Sequence, residues 1–159
     1  VSRLLVKNIV FSLVIPGVGA VLLPWWLLSH DWRLPSPSVW PALAVVLVGL
    51  SLYVWCVRAF AVRGRGTPGP WDPPRQLVVS GPYRWVRNPI YLAAITVVLG
   101  EAWIFESVSL LEYAAEMAVV VHVFVIGYEE PVLRRSFGDG YLEYKRRVSR
   151  WLPRRPSAP

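Results

Sequence analysis

The sequence predicts an all-α integral membrane protein with about four transmembrane helices, a C-terminal helical hairpin and an amphipathic cap. Three observations carry this prediction. The chain is 55% hydrophobic over 159 residues, apolar beyond a soluble domain of its size and too short for several domains. Long uncharged runs cover residues 9–28 and 39–57. At about 1.5 Å of rise per residue, each reaches about 30 Å, the thickness of a bilayer's hydrocarbon core. The third is the basic residues, which cluster at the ends of the apolar runs on one side.

The elements follow in order. Ile9 to Leu28 is the first span, with Pro16-Gly17 a candidate kink. His30-Asp31-Trp32-Arg33 and the prolines after it form a short loop. Val39 to Val57 is the second span, ended by Arg58. Arg63 to Pro74 is rich in Gly, Pro and Arg and reads as an irregular loop. Pro89 suits the first turn of a helix, where its missing N–H costs nothing. The run Ile90 to Phe105, apolar except Glu101, is short for a full crossing. A returning helix is expected over Val108 to Glu130, resuming over Val132 to Phe137. Gly138-Asp139-Gly140 reads as a turn, Tyr141 to Arg147 as a short surface helix, and Pro153 onward as a tail. Residues 1–61 thus hold two N-terminal spans and residues 62–159 the remainder of a single domain.

Arg58, Arg63, Arg65, Arg75, Arg84 and Arg87 lie in the second loop, and Arg134, Arg135, Lys145, Arg146, Arg147, Arg150, Arg154 and Arg155 follow the last span. Arg3 and Lys7 precede the first, and Arg33 alone falls on the other side. The positive-inside rule then places both termini in the cytoplasm, in a cytoplasmic (inner) membrane. The formal charge of +7 is assigned to these loops and to anionic headgroups, not to nucleic acid. The single cysteine, Cys56, excludes an internal disulfide and gives no metal cluster; it reads as a buried, inert thiol. Nine tryptophans suit interfacial aromatic belts.

Two polar blocks flank the hairpin, which brings them to one membrane face. The first is Gly81-Pro82-Tyr83-Arg84-Trp85-Val86-Arg87-Asn88-Pro89-Ile90-Tyr91. The second is Glu129-Glu130-Pro131, then Phe137-Gly138, Tyr141, Tyr144 and Arg150-Trp151-Leu152-Pro153. Arginines, paired glutamates and tyrosines at the mouth of a bundle suit a polar, charged small molecule. Arg84 and Arg87 share one face if their segment is helical. An arginine can hold a carboxylate by two parallel hydrogen bonds. Asn88 is a natural N-cap, and Tyr83, Trp85 and Tyr91 offer flat surfaces, Trp85 as an interfacial anchor.

Glu112, Glu116, His122, Glu129 and Glu130 occupy less than half the circumference of the returning helix at about 100° per residue. Intramembrane charges are costly and normally face a bundle interior or a wet cavity. Glu112 and Glu116 are expected to snorkel or pair, His122 to make a structural hydrogen bond, and Glu129 and Glu130 to serve the site.

Together these blocks resemble the isoprenylcysteine carboxyl methyltransferases and the related small membrane phospholipid methyltransferases. That family carries Gly-Pro-Tyr-aromatic-x-x-Arg-His-Pro-x-Tyr, a helical hairpin, a Glu-Glu pair, Phe-Gly-x-x-Tyr-x-x-Tyr and a terminal x-Arg-x-x-Pro. The match runs from Gly81 to Pro153. It implies an S-adenosylmethionine-dependent membrane methyltransferase, with residues 62–159 as the cofactor-binding region. By position, Tyr83, Arg87, Asn88, Pro89, Tyr91, Leu92, Glu129 and Glu130 would line the cofactor pocket. Glu143 and Arg150, in the C-terminal cap, would lie towards the acceptor as catalytic candidates. Asn88 stands where eukaryotic members have histidine, so the site either needs no imidazole base or uses one from elsewhere. The implied partners are the membrane and a lipophilic or lipid acceptor bearing a carboxylate or amine. Two alternatives remain. One is a nicotinamide-dependent reductase of the sterol-reductase type, disfavoured by Phe137-Gly138 and the lack of a nearby cysteine. The other is a non-catalytic scaffold or transporter.

Overall fold

The computed structural model describes residues 10, 16–30, 39–64 and 76–153. The expected loops over residues 31–36 and 65–74, the start of the first span and the tail beyond Pro153 lie outside them. Among the described residues the fold is all-helical, apart from one isolated parallel bridge between Val86 and Ser149.

A π-helical stretch, Val18–Leu22, follows the candidate kink and leads into α1, Leu23–His30. Helix α2 is Val39–Ala59, continued by a π-helical turn, Phe60–Gly64. A 3-10 turn, Gly81–Arg84, precedes α3, Pro89–Ile104, with Pro89 in its first turn as expected. Helix α4, Val108–Phe124, passes through a π-helical segment, Val125–Glu129, into α5, Glu130–Arg147. Ser107 caps α4: its side chain accepts from the Leu110 N–H at 3.3 Å.

Two expectations change and one holds. Pro131 does not interrupt the chain, because it sits in the first turn of α5, where proline is tolerated. The expected turn at 138–140 is present: Gly138, at φ 52° and ψ −128°, is non-helical and kinks α5 into two helical pieces. Arg84 and Arg87 do not share a helical face, since the 3-10 turn ends between them.

Two stretches are long and apolar enough to cross a membrane: Val39–Arg63 and the run beginning at Val108. Val18–Ser29 and Pro89–Ile104 are shorter apolar helices. Their outer faces expose large apolar side chains, including Leu47, Val48, Val119, Val120 and Val123. Trp25, Trp26, Trp40 and Trp103 are also exposed. Contacts among Leu28, Ala102 and Leu110 join the end of α1, the end of α3 and the start of α4. These tryptophans thus ring one end of the bundle, as an aromatic belt does. The chain is a helical membrane protein.

Helices α2 and α3 pack most extensively. Two glycines make that possible. A Cβ on Gly49 would come within 2.9 Å of the Ala93 carbonyl oxygen, and one on Gly100 within 3.0 Å of the Val46 nitrogen. Small residues at a membrane helix interface let the backbones approach and gain dispersion contact. This pairing fixes α3, whose first turn carries the polar block.

Candidate functional site

The mouth of the hairpin is organised around one carboxylate. Arg87 Nη1 donates to Glu130 Oε1 at 2.8 Å and to the Tyr141 hydroxyl at 3.1 Å. Arg150 grips the same carboxylate as a fork, Nε to Oε1 at 2.7 Å and Nη2 to Oε2 at 3.2 Å. Lys145 Nζ adds a contact to Oε2 at 3.0 Å. Glu130 is buried, and three cations satisfy it. It opens α5, the polar helix beyond the apolar spans. Burial alone would raise its carboxyl, but hydrogen bonds from Arg150 and Lys145 and the Arg87 charge hold it at about 2. The bond to Glu130 in turn pushes the Arg150 guanidinium above its ordinary value.

This clamp fastens a C-terminal strap, residues 148–151, across the first polar block. The Arg87 N–H donates to the Ser149 carbonyl at 2.8 Å, beside the Val86–Ser149 bridge. Asn88 Nδ2 donates to the Arg150 carbonyl at 3.3 Å. The Asn88 side chain therefore does not cap α3, contrary to expectation; it is spent on the strap. Trp151 Nε1 donates to His122 Nδ1 at 3.0 Å, the structural bond expected of that histidine. The buried Tyr144 hydroxyl donates to the Tyr83 carbonyl at 2.6 Å.

Glu129 faces elsewhere. It accepts from the Tyr91 hydroxyl at 2.8 Å and lines an interior cavity of about 210 Å³ with Tyr83, Arg87, Asn88 and Tyr91. Two buried side-chain atoms of its lining residues, the Tyr83 hydroxyl and Arg87 Nε, have no hydrogen-bond partner of proper geometry, and the Tyr83 hydroxyl lies beside the Cys56 thiol. Glu130 instead lines an outer cleft of about 610 Å³ with Arg134, Arg135, Tyr141, Lys145 and Arg150. The adjacent glutamates thus open onto different spaces.

The remaining candidates are placed as follows. Pro89 is buried and shapes the first turn of α3, where Leu92 is half-buried. Glu143 is exposed on α5 and ion-paired with Arg147. Glu112 and Glu116 are exposed on α4. The π-helical segment at 125–129 resets the phase between them and Glu129. Lys145, Tyr141 and His122 complete the contacts; sequence reasoning placed Tyr141 in the second polar block and gave Lys145 no role beyond its charge. The signal for Lys145 was its spacing from Tyr141, which puts both on one face of α5.

Fold and geometry together define a membrane helix bundle with a charged cluster and a cavity at one end of a hairpin. The chain belongs to the phospholipid methyltransferase family, which matches residues 37–140. It is 35% identical over 150 residues to methanethiol S-methyltransferase 1 of Bradyrhizobium diazoefficiens, covering 82% of this chain and 51% of that protein. It is also similar to two resistance proteins. One is the nickel-cobalt-cadmium resistance protein NccN of Alcaligenes xylosoxydans xylosoxydans, 29% identical over 64% of this chain and 43% of the relative. The other is the cobalt-zinc-cadmium resistance protein CzcN of Cupriavidus metallidurans, 28% identical over 70% of this chain and 49% of the relative. The chain spans about half the length of the curated relatives it matches.

Proposed function

We propose that this chain transfers a methyl group from S-adenosylmethionine to a hydrophobic or amphiphilic acceptor at the cytoplasmic face of a membrane. In this reading it crosses the bilayer four times with both termini in the cytoplasm. The observation that carries the reading is the interior cavity, lined by a carboxylate and two tyrosines, two of whose lining residues keep a buried polar atom without a partner.

The residues fit the cofactor's chemistry. A sulfonium cation is favoured beside the Glu129 carboxylate and the faces of Tyr83 and Tyr91. Arg87 Nε and the Tyr83 hydroxyl are donors awaiting acceptors. Tyr83, Arg87, Asn88, Tyr91 and Glu129 would hold S-adenosylmethionine, with Pro89 and Leu92 shaping the turn beneath it. Glu130 acts from outside the cavity, holding Arg87 and the strap in place.

When bound, the cofactor supplies an electrophilic methyl whose transfer leaves a neutral thioether. The protein's contribution is then mostly orientation and exclusion of water. The strap covers the mouth, and Arg150 fixes the strap. Glu143, paired with Arg147, belongs to this cap on the acceptor side. A carboxylate acceptor needs no base; an amine or thiol must lose a proton, and Glu129, already accepting from Tyr91, is the group placed to take it. The acceptor is lipophilic, and a thiol joins the carboxylate and amine as a candidate because one relative is a methanethiol methyltransferase.

Calorimetry of the protein in nanodiscs tests the reading. S-adenosylmethionine should bind, and Glu129→Gln should weaken it. Absence of binding by the wild-type protein would overturn the assignment.

A further inference from the structure

A groove of about 760 Å³ runs down the outside of α2, and it shares no lining residue with the interior cavity. On α2 it is lined by Leu47, Leu50, Val54 and Arg58, at i, i+3, i+7 and i+11, which form one stripe along a helix. Leu47, Leu50 and Val54 are exposed, so in a membrane protein this wall faces lipid tails. The stripe turns polar at one end only. Arg58, Arg63 and Trp55 line that end, with Ser80 and Gly81 opposite.

The two arginines meet there because the helix widens. In an unbroken α-helix, five residues at about 100° each would set them about 140° apart. The π-helical turn Phe60–Gly64 closes i to i+5 and brings Arg63 round to the groove that holds Arg58. Both are exposed, and among the described residues neither has a carboxylate partner. The Trp55 indole nitrogen stands beside Gly81: a Cβ on Gly81 would come within 3.1 Å of it. A tryptophan N–H at the membrane interface is a donor for headgroups.

Length decides the occupant. From Arg58 to Leu47 the helix covers about 16 Å at about 1.5 Å per residue. That is one leaflet of a hydrocarbon core about 30 Å thick. A soluble anion would leave the apolar wall unused, and a neutral lipid would leave the two cations unused. We propose that this groove holds an anionic phospholipid, its phosphate between Arg58 and Arg63 and one acyl chain along Val54, Leu50 and Leu47. In the proposed orientation the lipid belongs to the cytoplasmic leaflet, where anionic headgroups concentrate. It is a bound partner and not the methyl acceptor, because α2 stands between: Tyr53 and Phe60 line the interior cavity, while Val54 and Arg58 line the groove. Bound there, it ties α2 to Ser80 and Gly81, the entry to the block that carries Tyr83 and Arg87. The inference stands without the methyl-transfer reading.

The test titrates the delipidated full chain, in neutral detergent, with phosphatidylglycerol or phosphatidylcholine of the same acyl chains. Native mass spectrometry counts the lipid retained. One phosphatidylglycerol should be held, at least about fivefold more tightly than phosphatidylcholine, the scale of one charge near an anionic headgroup. Arg58→Gln and Arg63→Gln should each weaken it about fivefold or more. The double variant Arg134→Gln/Arg135→Gln removes more charge, but at the outer cleft, and should leave retention nearly unchanged, since distant exposed charges are screened. Phosphatidylglycerol should also raise the melting temperature of the wild type and of the outer-cleft variant, but not of the groove variants. Equal retention of the two lipids, or equal losses in the groove and outer-cleft variants, would overturn the inference. Release of the lipid by millimolar inorganic phosphate would overturn it in favour of a soluble anion. A dimer mass carrying no lipid would overturn it in favour of a second copy of this chain. Should a groove variant fold poorly, the wild-type comparison of the two lipids still decides.

Discussion

At the scale of single residues, adjacent glutamates have been given different work by one step along the helix. Glu129 has one strong donor, Tyr91, and opens onto the cavity. Glu130 has three cationic donors and little left to offer a ligand. Their variants should separate. Glu129→Gln removes a charged hydrogen-bond acceptor, worth roughly 1.5–3 kcal/mol, so calorimetric affinity for S-adenosylmethionine should fall about ten- to hundredfold. Glu130→Gln should act mainly on stability, since it leaves Arg87 and Arg150 facing a neutral amide. Its pH signature follows from a depressed pKa. The unfolded carboxyl titrates near 4.5 and the folded one at about 2, so its stabilisation is complete above 4.5 and is lost as pH falls towards 2. Melting temperatures of wild type and Glu130→Gln should therefore differ at pH 7 and 5 and converge near pH 2. A constant difference across that range would show that Glu130 is not the group being protonated. Arg87 holds Glu130 through Nη1 alone, while its Nε is buried without a partner. Arg87→Lys keeps the charge but has no Nε donor, so it should bind S-adenosylmethionine nearly as poorly as Arg87→Ala. Wild-type affinity in the lysine variant would remove Arg87 from the cofactor site.

At the scale of elements, the α2–α3 contact and the strap are what hold the polar block in register. A Cβ at Gly49 or Gly100 would meet a methyl of Val97 or Val46 first and backbone atoms of the opposite helix within 3.0 Å, and a β-branched side chain gives little room to yield. Gly49→Val or Gly100→Val should therefore part the helices, lowering the melting temperature in detergent and weakening cofactor binding together. The same substitution at Gly127, where a Cβ meets nothing within 4 Å, should be mild by both measures. A similar drop at all three positions would mean that helix propensity, not packing, sets the cost. Much of this scale was legible in the sequence. The second uncharged run, the proline at the start of α3 and the Glu-Glu pair at the end of the hairpin bound their elements to within a few residues. What was not legible depends on long-range contact. Asn88 reads as a cap from its neighbours, yet its amide is taken by Arg150, sixty-two residues away. The wheel over 112–130 assumed one helical phase, and five π-helical residues break that phase where the glutamates sit. Pro131 looked like an interruption, and α5 absorbs it in its first turn, whereas Gly138 breaks the helix as its sequence suggested.

At the scale of the whole molecule, basic residues sort to one end, while exposed tryptophans mark both, Trp55 and Trp85 lying at the basic end. The tryptophan-ringed end, with Trp25, Trp26, Trp40 and Trp103, carries Glu106 and Glu112 and no arginine among the described residues. The other end carries Arg58, Arg63, Arg84, Arg87 and the whole basic series of α5 and the strap. Lys and Arg beside short loops are retained in the cytoplasm, so the site end should face inward. Asp139 is exposed at the kink of α5, and Val108 is exposed at the start of α4, on opposite ends of the hairpin's returning helix. With the buried Cys56 replaced by serine, Asp139→Cys should react with a membrane-impermeant maleimide only after cells are permeabilised. Val108→Cys should react in intact cells. The reverse pattern would place the mouth of the cavity outside, where a cytosolic methyl donor cannot reach it. Orientation and cofactor would then fail together, although the clamp and the strap would keep their geometry.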